Sequence, residues 1–389
     1  MLQPRLDKLR KTLKEKRLDA FLVSNSYNIL YLSGFKTLTD NEREAWLFIT
    51  AKNSYLFSDS RYLSFPPRNM VRDKLQRAIV PLGKSRKIDP PVKPEDDGLE
   101  RKLITPENSL IKHLKRIIVE EKIRTLGIEG EDLKINEFNK LKQELRVEVV
   151  PTERLIIKQR EIKDGEEIEK IRKACQIGDE CLTEIVKTIK IGQTEKEIAF
   201  RIEFWLKEKG FDLAFYPIVS VDANSAVPHY DTKSGNNKKV KKRSIILIDF
   251  GAKYQEYLSD ITRMVFVGKP KGEILNTYNH LLDTQTKTIQ KLHLRGVRQG
   301  VAKLKEVDSF CREKLNYPHS TGHGVGLEIH EYPKISITSA DILLPNQVVT
   351  IEPGVYFEGK WGVRIEDTVV VKKKGVEILT KFSKQLLTI

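Results

Sequence analysis

Residues 245–263, IILIDFGAKYQEYLSDITR, put two aspartates where a strand should be apolar. Ile245 to Ile248 form the aliphatic run of a strand buried on both faces, and Asp249 ends it. Asp260 opens the return run eleven residues later, so a hairpin lets the two carboxylates face each other. A second stretch, VVTIEPGVYFEGKWGVRIEDTVVV at 348–371, repeats the arrangement, with Glu352 and Glu366 fourteen apart around the turn EGKWG and among isoleucines and valines. A carboxylate in such surroundings has to be neutralised, paired or bound to metal, because burying it alone is costly. Arg263 and Arg364 are the nearby cations available for pairing.

Between the two stretches lies TGHGVGLEIHEYP, 321–333. His319 and His323 have the i, i+4 offset of helical metal motifs. Gly322, Gly324 and Gly326 argue against a helix, each costing about 1 kcal/mol relative to alanine, and predict a turn or extended segment at His323. GLEIHEYP alternates Leu327 and Ile329 with Glu328 and His330 until Pro333, the period of a half-buried strand. With His323 added, four carboxylates and one imidazole form an oxygen-rich donor set. Such a set suits two divalent ions of the manganese, cobalt, iron or zinc kind better than one structural zinc. Salt bridges to Arg263 and Arg364 are the alternative use of the same carboxylates.

The chain has 389 residues, which predicts two domains. Charged residues are 32% and hydrophobic ones 39%, the composition of a globular protein, and no run of 18 apolar residues predicts a membrane span. The first twenty residues contain no secretory apolar core, so a cytoplasmic location is expected. Cys175, Cys181 and Cys311 are too few for a disulfide framework and read as buried thiols. The net charge is +15. Its densest run, KKVKKR at 238–243, has no interleaved aromatic residues for stacking on bases, and it reads as a solvated approach to a strand, with no nucleic-acid partner.

Short apolar runs after a leucine stripe at 6, 9 and 13, then a helix at about 108–122 and the runs RTLGIEG and VEVVP, make residues 1–155 α/β material. Seven of the sixteen prolines fall between Pro66 and Pro106, so 64–106 is expected to be a long irregular excursion of unassigned role. A boundary is expected near 155, where a long helical stripe through Ile168, Ile171 and Cys175 begins. Thr194 and Glu197 form a capping box for a second helix that stops at Gly210. Strand-like runs at 244–250, 257–267, 347–357 and 362–371, with a helical region at about 272–315, make residues 156–389 α+β.

In combination the motifs PHYD with His229, DFG with Asp249, SDITR with Asp260, TGHGVGLEIHE with His323 and His330, TIEPGVY with Glu352 and GVRIED with Glu366 resemble the pita-bread metallopeptidases of the creatinase and methionine aminopeptidase superfamily. The nearer resemblance is to Xaa-Pro aminopeptidases and Xaa-Pro dipeptidases, with a creatinase-type amino-terminal domain. It implies that Asp249, Asp260, His323, Glu352 and Glu366 hold two divalent ions, manganese foremost, with Asp260 and Glu366 bridging. It further implies that Glu352 accepts the proton of the attacking water and that His229 and His330 contact the scissile peptide. His319 and Arg364 are the expected substrate-binding residues, Arg364 alternatively orienting Glu366, and Thr262 is placed to hydrogen-bond a ligand carboxylate. Three features depart from the family pattern: Glu256 and Ala223 stand where glycine is common, and KSGNN lengthens the loop between His229 and Asp249. The expected substrates are proline-containing peptides and the expected assembly a homodimer. Aminopeptidase activity is favoured, with the dipeptidase as the alternative and an inactive binding module as the third reading.

Overall fold

The computed structural model describes residues 2–37, 39, 42–63, 98–270, 272–295, 302–373 and 375–389. The chain divides into two compact units, one up to Gln159 and one from Arg160 onward.

In the first unit, helix Leu2–Glu15 buries Leu6, Leu9 and Leu13, the single face their spacing predicts. A six-stranded mixed sheet runs in the order Glu100–Leu103, Ser54–Ser58, Ala45–Thr50, Ala20–Val23, Thr125–Glu129, Glu148–Thr152. Ala45–Thr50 is antiparallel to both its neighbours, and the other three pairs are parallel. Helix Leu110–Glu120, capped by Ser109, lays Leu114, Ile117 and Ile118 on Leu22, Phe48 and Phe57. Of the proline-rich stretch 64–106, residues 64–97 lie outside the described residues, while Glu100–Leu103 is a regular edge strand parallel to Ser54–Ser58.

The single long helix expected after residue 155 is two, Leu155–Glu161, which runs over the division between the units, and Gly165–Thr188 in the second unit. Asp164 separates them: its side chain accepts from Glu167 N while Glu167 returns to the Asp164 backbone, a capping box that starts a new helix. The box read from Thr194 and Glu197 starts helix Glu195–Glu208. Both helices pack on one face of a four-stranded sheet, Leu387–Thr388, Ile261–Phe266, Ile245–Phe250 and Ile218–Val221 in that order, where Ile246, Ile248 and Phe250 meet Ile177, Leu182 and Ile202. Ile245 and Leu247 on the opposite face meet Tyr278 and Leu281 of helix Gly272–Arg295. Apolar partners on both sides account for the unbroken IILI run, each such side chain contributing about 1.5–3 kcal/mol of burial. A five-stranded antiparallel sheet follows, Glu331–Ile335, Gly322–Gly324, Val348–Ile351, Asp367–Lys372 and Gly375–Ile378 in order.

Of the four strand-like runs expected from the sequence, 244–250 is the unbroken strand Ile245–Phe250 and the other three are each interrupted beside a carboxylate. The run 257–267 is Tyr257–Leu258 and Ile261–Phe266, parted at Asp260. The run 347–357 is Val348–Ile351 and Gly354–Phe357, parted at Glu352, and 362–371 is Trp361–Arg364 and Asp367–Lys372, parted at Glu366. Glu352 and Glu366 thus stand at the two junctions where the ladder pairing Ile351 with Asp367 hands over to the ladder pairing Gly354 with Arg364. Backbone bonds across segments stitch the junctions: Glu352 N donates to Thr321 O at 2.9 Å and Glu366 N to Thr262 O at 3.3 Å.

Candidate metal centre

Asp249 pairs with Thr262 across the hairpin, so Asp260, two residues from Thr262, projects from the same face. His323 arrives from the neighbouring sheet, in strand Gly322–Gly324 rather than on a turn. The flanking glycines have a steric reason. A Cβ at Gly322 would come within 1.9 Å of Thr350 O and one at Gly324 within 2.2 Å of Tyr332 O, so only glycine lets the strand lie this close to both neighbours. His330 is not on a strand: residues 326–330 bend, with Gly326 N donating to Glu328 O, and the strand begins at Glu331. The alternation of GLEIHEYP is therefore that of a bend closed on itself.

Donor atoms of Asp260, His323 and Glu366 lie within 4.8 Å of one another, and all three residues are buried. His323 Nε2 is 3.6 Å from Asp260 Oδ2 and 3.2 Å from Glu352 Oε1. Its Nδ1 is 3.1 Å from Gly324 O, which places one proton there. Against burial, the hydrogen bond and charge of Glu352 raise the ring's pKa, so in the metal-free site Nε2 carries a second proton, and Nε2 is the atom free for a cation once that proton leaves. Thr350 Oγ1 donates to Glu352 Oε1 at 3.1 Å, and Thr262 Oγ1 to Glu366 Oε2 at 2.7 Å, the contact the sequence suggested for that threonine. Asp249 stands beside the triple, its Oδ2 accepting from Arg364 at 2.5 Å.

Three carboxylate oxygens, Asp249 Oδ1, Asp260 Oδ1 and Glu366 Oε1, are buried and meet no hydrogen-bond donor among the described residues. Buried oxygens without partners are rare in folded proteins because each forfeits its hydration. Burial, with Glu366, Asp249 and Glu352 close by, pushes the Asp260 carboxyl well above the ordinary range. Burial and the Glu352 charge do the same to Glu366, and burial raises Asp249. Glu352 is the exception: against its burial, the hydrogen bond and charge of His323 hold it at about 2. Mutually repelling buried carboxyls, three with an oxygen unmet, fit divalent cations bound by Asp249, Asp260, His323, Glu352 and Glu366.

The remaining candidates ring this group. Arg364 is buried, and its guanidinium donates to Thr262 Oγ1, Pro228 O, Tyr356 Oη and Asp249 Oδ2. These donors go to protein groups, to Asp249 directly and to Glu366 only through the shared Thr262 hydroxyl. His319 is half-buried, with Nδ1 2.9 Å from Ser320 O and Nε2 2.9 Å from Tyr356 Oη. Burial lowers its pKa, so the neutral ring donates from Nδ1 and accepts at Nε2. His330 is exposed, its ring edge-on to His323 with centroids 4.4 Å apart, and burial of the ring atoms plus the His323 charge lower it to about 4. His229 is exposed on the turn before Tyr230.

Two functional features escaped the sequence reading. Tyr356 links His319 to Arg364, and the signal was its place opposite Gly362, on the same face of the 354–364 hairpin as Arg364. Glu331, next to His330, is clamped by Arg160 and Lys163, whose charges lie about 170 residues away in sequence and carry no local signal.

Residues 169–373 match the metallopeptidase family M24, and residues 5–162 the creatinase/prolidase amino-terminal domain. An Xaa-Pro dipeptidase of Pyrococcus furiosus is 31% identical over 395 residues, which cover 99% of this chain and 100% of the relative. This chain belongs to metallopeptidase family M24. Among solved structures, the Xaa-Pro dipeptidase from Bacillus anthracis matches with a TM-score of 0.82 and 28% identity over 100% of both chains. The X-Pro aminopeptidase from Thermotoga maritima matches with a TM-score of 0.77 and 32% identity over 97% of this chain and 100% of that one. The expected M24 architecture, a creatinase-type amino-terminal domain and a pita-bread carboxy-terminal domain, is the one found. Among the described residues no helix is long and apolar enough to cross a membrane, and all three cysteines are free and buried.

Proposed function

We propose that the chain is an Xaa-Pro dipeptidase, a prolidase, hydrolysing the bond before a carboxy-terminal proline, with residues 156–389 as catalytic domain and 1–155 as creatinase-like domain. The observation that carries the hydrolase reading is the set of unpartnered buried oxygens on Asp249, Asp260 and Glu366 around His323. The sequence reading favoured the aminopeptidase; full-length relatives named Xaa-Pro dipeptidase move the preference to the alternative. The metal motifs are shared by both activities and could not separate them. The Thermotoga maritima aminopeptidase, at 32% identity, keeps aminopeptidase activity as the second reading.

Asp249, Asp260, His323, Glu352 and Glu366 would hold two divalent ions, with Asp260, His323 and Glu366 offering donor atoms within 4.8 Å of one another. When bound, such ions make water acidic enough to act as a nucleophile near neutral pH and draw charge from the substrate carbonyl. Glu352, held through Oε1 by Thr350, takes the proton of the attacking water. His330, neutral above about pH 4, donates a ring N–H to the carbonyl oxygen as charge develops on it, and His229 makes the second contact. His319 walls the proline side through its apolar edge. Arg364 acts on Asp249, fixing the direction of that carboxylate. Manganese suits the oxygen-rich donor set, free buried thiols suit the cytoplasm, and the assembly in this reading is a homodimer.

The test is hydrolysis of an Xaa-Pro dipeptide beside an Xaa-Pro-Xaa tripeptide by protein stripped and resupplied with manganese, cobalt or zinc, with Glu352→Ala as control and the assembly measured by light scattering. Cleavage of the dipeptide alone supports the proposal, and cleavage of the tripeptide supports the aminopeptidase. Two bound ions with neither peptide cut would remove Xaa-Pro specificity altogether.

A further inference from the structure

The metal-side residues are held by their own side chains, through Thr262, Thr350, Gly324 and Arg364. His330 is held differently. Among the described residues its ring makes no hydrogen bond to protein, and it stands at the point where the bend 326–330 turns into strand Glu331–Ile335. The next residue, Glu331, is 7% exposed. Its Oε2 accepts from Arg160 Nη2 at 2.6 Å and its Oε1 from Lys163 Nζ at 2.6 Å. Arg160 Nη2 also reaches Glu328 Oε2 at 2.7 Å, so one guanidinium grips both sides of His330. The backbone closes on the same carboxylate, since a Cβ at Gly326 would lie 2.3 Å from Glu331 Oε1.

Two buried cations against two carboxylates are a poor way to gain stability, because desolvation consumes most of the attraction and apolar packing does as well. They are an effective way to fix direction. Each oxygen of Glu331 has its own cation, so the carboxylate cannot rotate and the Cα of the adjoining His330 cannot swing without breaking a buried ion pair. We propose that Glu331, locked between Arg160 and Lys163, is the positioning residue for His330. The inference rests on the reading of His330 as the group that contacts the substrate carbonyl.

Its test uses the full chain. Glu331→Gln combined with Lys163→Gln removes one charge of each sign and leaves the cluster balanced; Gly326→Ala keeps all four charges and pushes the carboxylate aside. Both variants should bind manganese with unchanged dissociation constants in calorimetry. Both should lose kcat on an Xaa-Pro dipeptide by about 10- to 100-fold, the cost of a misplacement on the order of 1 Å, with KM within about twofold. In a His330→Ala background the same changes should cost less than about twofold further, because the residue they act through is gone. A readout independent of turnover is the His330 ring resonance in protein labelled with 13C-histidine, assigned by its loss in His330→Ala and expected to shift or broaden in both variants. An unmoved resonance, or an equal loss of kcat with and without His330, overturns the proposal. If the parent protein cleaves no Xaa-Pro peptide, the functional reading fails and the resonance alone decides whether Glu331 positions His330.

Discussion

The two halves of the candidate site are built by opposite means. Asp249, Asp260 and Glu366 are 7%, 4% and 2% exposed and stand on or beside paired strands, where ladder bonds and single threonine or arginine contacts fix them. His229 and His330 are exposed and stand on turns and bends, next to residues tied deep in the unit: Tyr230 to buried Glu195, and Glu331 to Arg160 and Lys163. A cation site needs several charges held against mutual repulsion, which rigid ladders supply. Groups that meet a substrate need access, and a tether one residue away gives direction without burial.

This contrast breaks most severely if the strand half can be altered without loss. Asp260→Asn should abolish binding of at least one ion and lower kcat/KM by on the order of 10³-fold or more, roughly 4 kcal/mol of transition-state stabilisation, measured by metal analysis alongside hydrolysis. His330→Ala should lower kcat by about 10²–10³-fold while both ions stay bound; loss of an ion would place His330 with the ligands instead. Thr262→Val, which removes the donor to Glu366 Oε2, should weaken ion affinity by about 10- to 100-fold, read by calorimetry.

The same residues give the metal-free protein a pH dependence. Burial raises Asp249, Asp260 and Glu366 on folding. A raised acid favours the folded state fully below its unfolded range and loses that contribution as pH rises through its folded value. Glu352, lowered to about 2, works in the opposite sense, and its contribution is lost only as pH falls from the ordinary glutamate range toward 2. Chelated protein should therefore melt a few degrees lower, roughly, as pH rises from the acidic range to neutrality and beyond, and Asp260→Asn should flatten that slope in scanning calorimetry. The smallest effect is expected outside the site. Gln255 and Glu256 both have positive φ, 46° and 71°, in the two-residue turn joining Ala252–Tyr254 to Tyr257–Leu258. Glycine at 256 is thus the relaxed choice, and Glu256→Gly should stabilise by up to about 1 kcal/mol with hydrolysis unchanged.

What could be read in the sequence follows the same division. The buried acidic cluster was legible because a carboxylate inside an aliphatic run is a local anomaly, visible at Asp249, Asp260, Glu352 and Glu366 without any partner in view. The capping box at Thr194 and Glu197 was legible for the same reason, since its chemistry lies within four residues. The breaks at 259–260, 352–353 and 365–366 were not, because hydrophobic periodicity reports which residues are buried and says nothing of where a ladder changes partner. The bend carrying His330 imitated a strand by alternating polarity over a few residues. The turn of Arg364 toward Asp249 depends on Pro228 and Tyr356, which meet it only in three dimensions.

The proposed ligands span residues 249 to 366, and the last of them rests on strand Asp367–Lys372. During synthesis, Asp249 and Asp260 leave the ribosome more than sixty residues before His323, and Glu366 is fixed only after its strand has paired. A nascent chain consequently holds no complete cage. Which ion occupies the cage is decided after folding, by whatever divalent cations the finished protein meets in its compartment.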